Sequence, residues 1–367
     1  MAAILLYGDT VRHAALRHEV PLEIVDPLLF VERDGQALVL TSALEQARIA
    51  KARPDAEVVL AEALGFHELI DAGMEWEEAD LEVVVRAARA WGIDAAVVPP
   101  ELAVGVADRL RAEGLALTID ASAFRARRRV KTPAELAGIR RAQRAAEAGM
   151  AAGERLIRSG EALTSEAVRD AVRAACAAHG CPAPPDITVT SALSGGGHDP
   201  GSGPLPADLP IVIDVWPRDE VSGCWADMTR TFVAGAVSSE VRAVQDVVRE
   251  ALEAARAAAR PGVTGRELYD RAAQVIEDAG YPTQRTRAPG ETLTHGFWFT
   301  LGHGVGLEVH EPPMLGLAGH DPLVAGDVIA IEPGLEGIEG IGEVRYEDLL
   351  LITADGSETL TRYPYDL

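Results

Sequence analysis

Two carboxylates stand at the ends of apolar segments, where they could bind a cation. Asp214 ends the segment 209–214, and Glu332 ends the segment 326–332. Each segment has the length and apolar content of a buried strand. A buried carboxylate is costly unless a partner compensates its charge. The similarity of the two segments therefore predicts that Asp214 and Glu332 face a shared centre.

A third acid, Asp227, lies in a segment that alternates between polar and apolar residues. The alternation in 225–232 predicts a strand with Asp227, Thr229 and Thr231 on one face. A hairpin would bring Asp227 beside Asp214, and adjacent carboxylates repel unless they share a proton or a cation. A solvent-exposed hairpin whose acids have no shared role is the alternative interpretation.

A fourth acid, Glu347, follows Arg345 by two residues and should share its strand face. A simple ion pair between Arg345 and Glu347 is the alternative to metal binding here. The next residue, Asp348, should point to the opposite face, and a structural role is expected for it.

Two histidines follow one another in a glycine-rich segment. His303 lies between Gly302 and Gly304, and His310 comes seven residues later. Glycines allow the backbone to approach a bound group closely, although a lone core histidine is the alternative. Four carboxylates and one imidazole suit Mn²⁺, Co²⁺ or Zn²⁺, and such a set can hold two ions. The predicted metal ligands are Asp214, Asp227, His303, Glu332 and Glu347.

An internal repeat is expected to position these side chains. The segments 158–182 and 260–282 each contain a turn, a helix that starts at a threonine, and a Gly-x-Pro stop. Thr264 and Glu267 have the spacing of a capping box. The repeat predicts a pseudo-twofold domain in which two α/β halves share a sheet and the site.

This domain begins with a predicted helix start at Thr132, with Pro133 at the first helical position and Glu135 in the first turn. The basic stretch 125–131 that precedes it is interpreted as a solvated linker. Residues 1 to about 125 then form a separate, smaller α/β unit.

Within this smaller unit, the apolar runs 28–31 and 37–40 flank an Asp-Gly pair and predict a hairpin. Thr41 or Ser42 is expected to cap the helix that follows.

Further along this unit, the segments 94–98 and 115–119 surround a helix and predict buried strands in a mostly parallel sheet. The unit has no nucleotide-binding loop and no cluster of histidine or cysteine. Packing, dimerisation or covering of the active site is therefore its expected role.

The composition narrows the possible partners. The 367 residues have a formal net charge of −23, which argues against a nucleic-acid partner. No stretch approaches the ~20 apolar residues of a membrane helix. The three cysteines have no C-x-x-C spacing, so no disulfide framework is predicted and a reducing cytoplasm is expected.

Taken together, these motifs resemble those of the pita-bread metallopeptidases (family M24). That family includes Xaa-Pro aminopeptidases, prolidases (Xaa-Pro dipeptidases) and methionine aminopeptidases, with creatinase as a non-peptidase relative. The resemblance implies an α/β (α+β) protein with a creatinase-type N-terminal domain, 1–127, and a pseudo-twofold pita-bread catalytic domain, 128–367. It rests on the segments Asp214, Asp227-x-Thr-Arg-Thr, Gly-His303-Gly-x-Gly, His310-Glu, Glu332-Pro-Gly and Arg345-x-Glu347-Asp.

The resemblance also implies a role for each predicted ligand. Asp214 would bind one ion, and His303 and Glu332 would bind the other. Asp227 and Glu347 would bridge the pair. A water between the ions would become hydroxide and attack the scissile carbonyl, and Glu332 would take and pass on the proton.

Three further residues are expected near the substrate by the same resemblance. His310 would steady the tetrahedral intermediate, His198 would contact the substrate, and Arg345 would lie near the bound peptide. A histidine in a flexible loop is the alternative for His198. Phe299 stands where the Xaa-Pro members usually have another histidine, and His295 is a candidate to replace that contact.

The expected activity is hydrolysis of the Xaa-Pro bond at the N-terminus of dipeptides or short peptides, by a homodimer in the cytoplasm. The large N-terminal domain and the Arg345-x-Glu347 motif favour it over a methionine-type aminopeptidase. A creatinase-like amidinohydrolase and a non-catalytic pita-bread binding module are weaker alternatives, because all five ligand positions are filled.

Overall fold

The structure is a computed structural model that describes residues 3–159, 163–193, 197 and 199–367. The chain divides into two units, Met1–Arg128 and Arg129–Leu367. Among the described residues, no helix is both long enough and apolar enough to cross a membrane.

The first unit is built on a six-stranded sheet with strand order β4-β3-β2-β1-β5-β6. Its elements are β1 (Ala3–Gly8), α1 (Ala14–Glu19), β2 (Leu28–Arg33), β3 (Gln36–Thr41), α2 (Gln46–Ala52), β4 (Ala56–Leu60), α3 (Phe66–Asp71), α4 (Trp76–Ala90), β5 (Ala95–Val98), α5 (Val104–Ala112), β6 (Ala116–Ile119) and α6 (Ala121–Arg129).

The predicted hairpin of this unit is confirmed. Strands β2 and β3 pair antiparallel up to Arg33 and Gln36. Asp34 and Gly35 between them have φ angles of 51° and 80°, which fits a tight turn with two left-handed residues. The sheet as a whole is mixed: the β1–β2 and β2–β3 pairings are antiparallel, and the other three are parallel.

Two local predictions for this unit are wrong. Helix α2 begins at Gln46 and receives no side-chain cap. Thr41 instead ends β3 and pairs with Leu60 of β4, so the sheet takes up the residue that was expected to cap the helix. Strand β6 is mostly exposed, with Ile119 at 59%, because it lies at the edge of the sheet.

The basic stretch is not a solvated linker, which corrects the interpretation from sequence. It lies mostly in helix α6. Arg127 forms ion pairs with Glu19 and Glu32, and Arg128 is buried. Carboxylates about 100 residues away along the chain neutralise the stretch, and local sequence gave no sign of them.

The second unit contains four helices and ten short strands within its described part. Its elements are α7 (Pro133–Ile157), α8 (Ser165–Ala178), β7 (Thr188–Ser191), β8 (Ile211–Val215), β9 (Met228–Phe232), α9 (Ser239–Ala258), α10 (Gly265–Asp278), β10 (Gly302–Gly304), β11 (Glu311–Leu315), β12 (Val328–Ile331), β13 (Gly334–Ile338), β14 (Gly342–Arg345), β15 (Asp348–Ile352) and β16 (Ser357–Thr359).

The two halves of this unit repeat one plan. A helix pair, α7–α8 or α9–α10, packs on a sheet of order β7-β8-β9 or β11-β10-β12-β15-β16. Thr164 and Thr264 cap the second helix of each pair, and each also bridges to a proline, Pro204 or Pro322. The predicted N-cap at Thr132 and the predicted capping box at Thr264 are both confirmed, and Thr132 forms a capping box with Glu135 as well.

The halves meet where β9 lies beside β14. The Thr231 hydroxyl donates to the Arg345 carbonyl and accepts from the Arg345 amide, at 2.9 and 3.0 Å. The Glu347 amide donates to the Thr229 carbonyl at 3.1 Å. These bonds hold residues 345–347 of the second half against the strand of the first half that follows Asp227.

Candidate metal centre

Asp214 and Asp227 come together as the predicted hairpin requires. Asp214 lies in β8 and is paired with Thr229, two residues after Asp227. Glu347 joins them from the other half: one carboxylate oxygen of each of these three acids lies within 4.8 Å of the others. The Thr229 hydroxyl donates to Glu347 at 2.9 Å and fixes its orientation.

His303 is held in β10 by two glycines that have no room for a side chain. A Cβ at Gly302 would lie 2.1 Å from the Ala330 carbonyl oxygen, and one at Gly304 would lie 2.5 Å from the Pro312 carbonyl oxygen. Glycine at both positions lets β10 fit between β11 and β12, with His303 opposite Ala330. Packing of the backbone therefore explains these glycines without a bound group.

The ring of His303 is oriented as a metal ligand requires. Its Nδ1 lies 3.0 Å from the Gly304 carbonyl oxygen, which can only accept, so Nδ1 has the proton and Nε2 has a free lone pair. Nε2 lies 3.6 Å from Glu332 Oε1 and 3.8 Å from Asp227 Oδ2. Burial lowers the pKa of His303 to about 4, which keeps the imidazole neutral.

The carboxylates of the cluster repel one another in a buried space. Burial, and then the neighbouring acids, raise the pKa of Asp227 and Glu347 well above the usual range. Burial raises the pKa of Glu332 to about 7, although Arg345 opposes this. Oδ1 of Asp214 and Oε1 of Glu347 are buried without a hydrogen-bond partner among the described residues. The donor set thus fits divalent cations, which would neutralise the acids.

Arg345 is the buried cation of the site. Its Nη2 donates to Asp214 Oδ2 at 3.1 Å, and its Nη1 donates to Glu332 Oε2 at 3.3 Å. Burial alone would lower the pKa of Arg345, but the surrounding carboxylates outweigh it and hold the pKa above its usual value. The alternative of a simple ion pair between Arg345 and Glu347 is therefore wrong, because Arg345 pairs with Asp214 and Glu332 instead.

Glu343 is an acid near the site that sequence reasoning missed. Its Oε1 lies 3.1 Å from Arg345 Nε, although the two atoms lack hydrogen-bond alignment. Burial raises the pKa of Glu343 to about 7. Its spacing was an available signal, because Glu343 stands two residues before Arg345 and so shares its strand face.

The remaining predicted residues have different surroundings. His310 is exposed, and its ring centroid lies 4.1 Å from that of His303. His198 lies outside the described residues. Phe299 packs edge-on against Phe297, and the exposed His295 does not line the described cavity at the cluster.

A buried ion pair supports the segment that precedes β11. Lys131 pairs with Glu311, and both side chains are almost fully buried. A Cβ at Gly306 would lie 2.6 Å from Glu311 Oε1 and 2.9 Å from Lys131 Nζ. The third glycine of the motif therefore makes room for this ion pair, which lies next to His310 in the chain.

A cavity of about 250 Å³ opens onto the cluster. Its lining includes three residues that sequence reasoning did not identify: Asp186, Trp216 and Val309. The other lining residues are Asp214, Asp227, His303, His310, Glu332, Arg345 and Glu347. The cavity thus gives a small substrate access to the donor set.

The metal-free protein should lose stability as the pH rises from 5 to 8, because four carboxyl groups with raised pKa values outweigh His303, whose lowered pKa acts in the opposite sense. These groups are Glu332, Glu343, Asp227 and Glu347. The pKa of Glu332 is about 7 in the folded protein and 4.5 in a free side chain. Its protonation therefore stabilises the fold fully below pH 4.5, and this stabilisation is lost as the pH rises through 7. Its size is on the order of 3 kcal/mol. Thermal unfolding with a chelator should show a falling Tm across this range.

Two controls identify the source of this effect. Added Mn²⁺ should abolish the fall, because the ions compensate the charges that appear. Glu332→Gln should reduce the fall in the chelated protein. A chelated wild-type Tm that stays level or rises between pH 5 and 8 would contradict the electrostatic description of the site.

A pseudo-twofold α/β unit that encloses buried carboxylates and a neutral histidine is suited to binding divalent metal ions. A model of metallopeptidase family M24 matches residues 137–354. This match spans more than half of the chain. The chain therefore belongs to metallopeptidase family M24, as the resemblance of its motifs predicted.

Curated relatives match over part of their length. An Xaa-Pro dipeptidase of Pyrococcus horikoshii is 41% identical over 142 residues, which cover 39% of this chain and 37% of the relative. An Xaa-Pro dipeptidase of Lactobacillus helveticus is 40% identical over 146 residues, which cover 40% of this chain and 36% of the relative. The matches thus span little more than a third of these relatives.

Solved structures confirm the predicted fold class over the whole chain. The prolidase from Pyrococcus furiosus has a TM-score of 0.78 at 22% identity and covers 99% of this chain and 97% of that chain. The X-Pro aminopeptidase from Thermotoga maritima has a TM-score of 0.82 at 23% identity, with 100% and 98% covered.

Proposed function

We propose that this protein hydrolyses the Xaa-Pro bond at the N-terminus of dipeptides or short peptides with the help of two divalent ions. The observation that supports this most strongly is the buried cluster of four carboxylates and a neutral histidine beside a small cavity. The names of the curated relatives support the choice of Xaa-Pro substrates.

The proposed ligands form overlapping groups of three residues whose donor atoms lie close together. Oxygens of Asp214, Asp227 and Glu347 approach one another, and so do donor atoms of His303, Glu332 and Glu347. Asp227 also belongs to a group with His303 and is thus near both sets. Asp227 and Glu347 are accordingly the proposed bridging ligands. When bound, the ions would lower the pKa of a water molecule and polarise the scissile carbonyl.

The chain's own side chains would move the protons. Glu332 is the proposed general base, because a carboxylate within the ligand set can take a proton from the attacking water and return it to the leaving nitrogen. His310 is exposed to the cavity beside His303 and could donate a hydrogen bond to the oxygen that develops charge. Arg345 would balance the carboxylates, and a role for His198 at the substrate stays a prediction.

Metal-dependent proline release tests the proposal. Chelated protein would be supplied in turn with Mn²⁺, Co²⁺ and Zn²⁺ and assayed on Ala-Pro, on Ala-Pro-Ala, and on Met-Ala-Ser. We expect metal-dependent cleavage of an Xaa-Pro bond, and the preferred length would distinguish a dipeptidase from an aminopeptidase. Cleavage of Met-Ala-Ser alone would instead establish a methionine-type enzyme. Bound metal without cleavage of any peptide would reject both.

Three finer points belong to the same proposal. Mn²⁺, Co²⁺ and Zn²⁺ all accept this oxygen-rich donor set. A cytoplasmic location is supported by three cysteines that are all buried and free. A homodimer is proposed from the family resemblance alone, and light scattering at several protein concentrations tests it.

A further inference from the structure

Asp186 is a charged residue of the cavity lining for which neither a metal-binding nor a catalytic role is proposed. Its side chain is exposed and lines the cavity at the candidate metal centre. It forms no hydrogen bond or ion pair with any described residue. A carboxylate that faces a substrate cavity without a partner is available to a charged group of the substrate.

The strand ladder places Asp186 beside the cluster. Strand β7 pairs antiparallel with β8, with Thr188 opposite Asp214. Extending this antiparallel register two residues back from Thr188 and two residues on from Asp214 places Asp186 opposite Trp216, on the face that Asp214 occupies. Both residues line the cavity. Asp186 and Trp216 thus border the cavity next to Asp214.

The charges around the cavity leave Asp186 uncompensated. Arg345 is engaged by Asp214 and Glu332 and lies 3.1 Å from Glu343. Two divalent ions would balance the four carboxylate ligands. Within the described lining, no other lysine or arginine is present. The negative charge of Asp186 therefore acts on whatever side chain enters this part of the cavity.

We propose that Asp186 makes the enzyme prefer substrates whose N-terminal residue has a cationic side chain, lysine or arginine. This rests on the proposed function, since proline is uncharged and the residue before it is the variable one. Trp216 would add an apolar wall for the aliphatic stem and a ring face for the cation. An exposed carboxylate with such a ring should give a preference of roughly threefold to tenfold.

The test compares substrates that differ in charge at nearly equal size. We would measure kcat/KM for Lys-Pro, norleucine-Pro and Glu-Pro with the metal-loaded enzyme. We expect wild type to prefer Lys-Pro over norleucine-Pro, chiefly through KM, and to do so less at 1 M salt. Asp186→Asn should bring the ratio near one and improve Glu-Pro, whereas Asp186→Glu should keep the preference.

A matched control removes the same charge elsewhere. Asp208 is exposed in the same unit but does not line the described cavity, so Asp208→Asn should leave the ratio unchanged. An unchanged ratio in Asp186→Asn would overturn the inference. So would an equal loss for all three dipeptides, because that would mean binding of the α-ammonium group or a structural role.

A binding measurement separates this inference from the proposed function. If wild type cleaves no Xaa-Pro bond with any metal, calorimetric titration with lysine amide and norleucine amide still tests the role of Asp186. Tighter binding of lysine amide that Asp186→Asn abolishes would support charge selection in the cavity. Equal affinity of wild type for the two amides would overturn it.

Discussion

Replacing Asp227 by asparagine should lower kcat/KM roughly a thousandfold or more and should reduce the bound metal from two ions towards one. Asp227 is the acid that approaches both Asp214 with Glu347 and His303 with His310. An asparagine side chain has one oxygen donor and no charge, so it cannot bridge two cations as a carboxylate does.

The same substitution should not destabilise the metal-free protein. Burial, and then the neighbouring carboxylates Glu347, Asp214 and Glu332, raise the pKa of Asp227, so an uncharged residue at this position removes both a buried charge and the repulsion. We therefore expect the Tm of chelated Asp227→Asn to equal or exceed that of chelated wild type. A substitution that lowers activity without lowering stability is typical of a residue whose role is functional and not structural.

Elemental analysis, calorimetry and peptide hydrolysis measured on one preparation would check both expectations. Asp208→Asn is the control for the loss of one charge outside the cavity lining. Full activity with two bound ions in Asp227→Asn would remove Asp227 from the ligand set. A chelated Tm well below that of wild type would instead indicate a structural role.

Replacing Asp348 by asparagine should lower the free energy of unfolding by about 3–5 kcal/mol, because it leaves the buried guanidinium group of Arg230 without a counter-charge. Asp348 is fully buried and accepts hydrogen bonds from Arg230 and Arg256, both at 2.9 Å. The prediction that Asp348 points away from the metal ligands and has a structural role agrees with these contacts.

The loss of the Asp348 carboxylate should also affect the candidate metal centre. Arg230 also donates to the Glu347 carbonyl at 2.7 Å and to the Tyr363 carbonyl at 3.0 Å. Arg230 thus holds the backbone of a proposed bridging ligand and the end of the chain in one network. Asp348→Asn should therefore weaken metal binding in addition to lowering stability.

Thermal and urea unfolding of the chelated protein would measure the effect, with a Tm decrease of about 10 °C expected for a unit of this size. The control is Glu358→Gln, which breaks the exposed Arg140–Glu358 pair and should cost less than about 1 kcal/mol. Equal effects of the two substitutions would contradict the view that burial makes the Asp348 network important.

Features encoded by neighbouring residues could be predicted well. The helix start at Thr132 and the capping box at Thr264 depend on residues within three positions of each other, and the turn at Asp34 and Gly35 depends on two residues. The strand that contains Asp214 could be recognised for a similar reason, because alternation and apolar runs are local signals. The start of helix α2 was predicted less well, because Thr41, one of the two expected N-caps, instead pairs with a residue of β4.

The sequence by itself determined the family, the pseudo-twofold plan and the candidate ligand set, because these lie in short motifs whose residue types are chemically restrictive. Only the tertiary structure decided which charges compensate one another. Lys131 and Glu311 are 180 residues apart, and Arg345 meets Asp214 across 131 residues. Such pairs form because a buried charge without a partner is costly. The spacing of residues along the chain does not show which distant residue will be that partner.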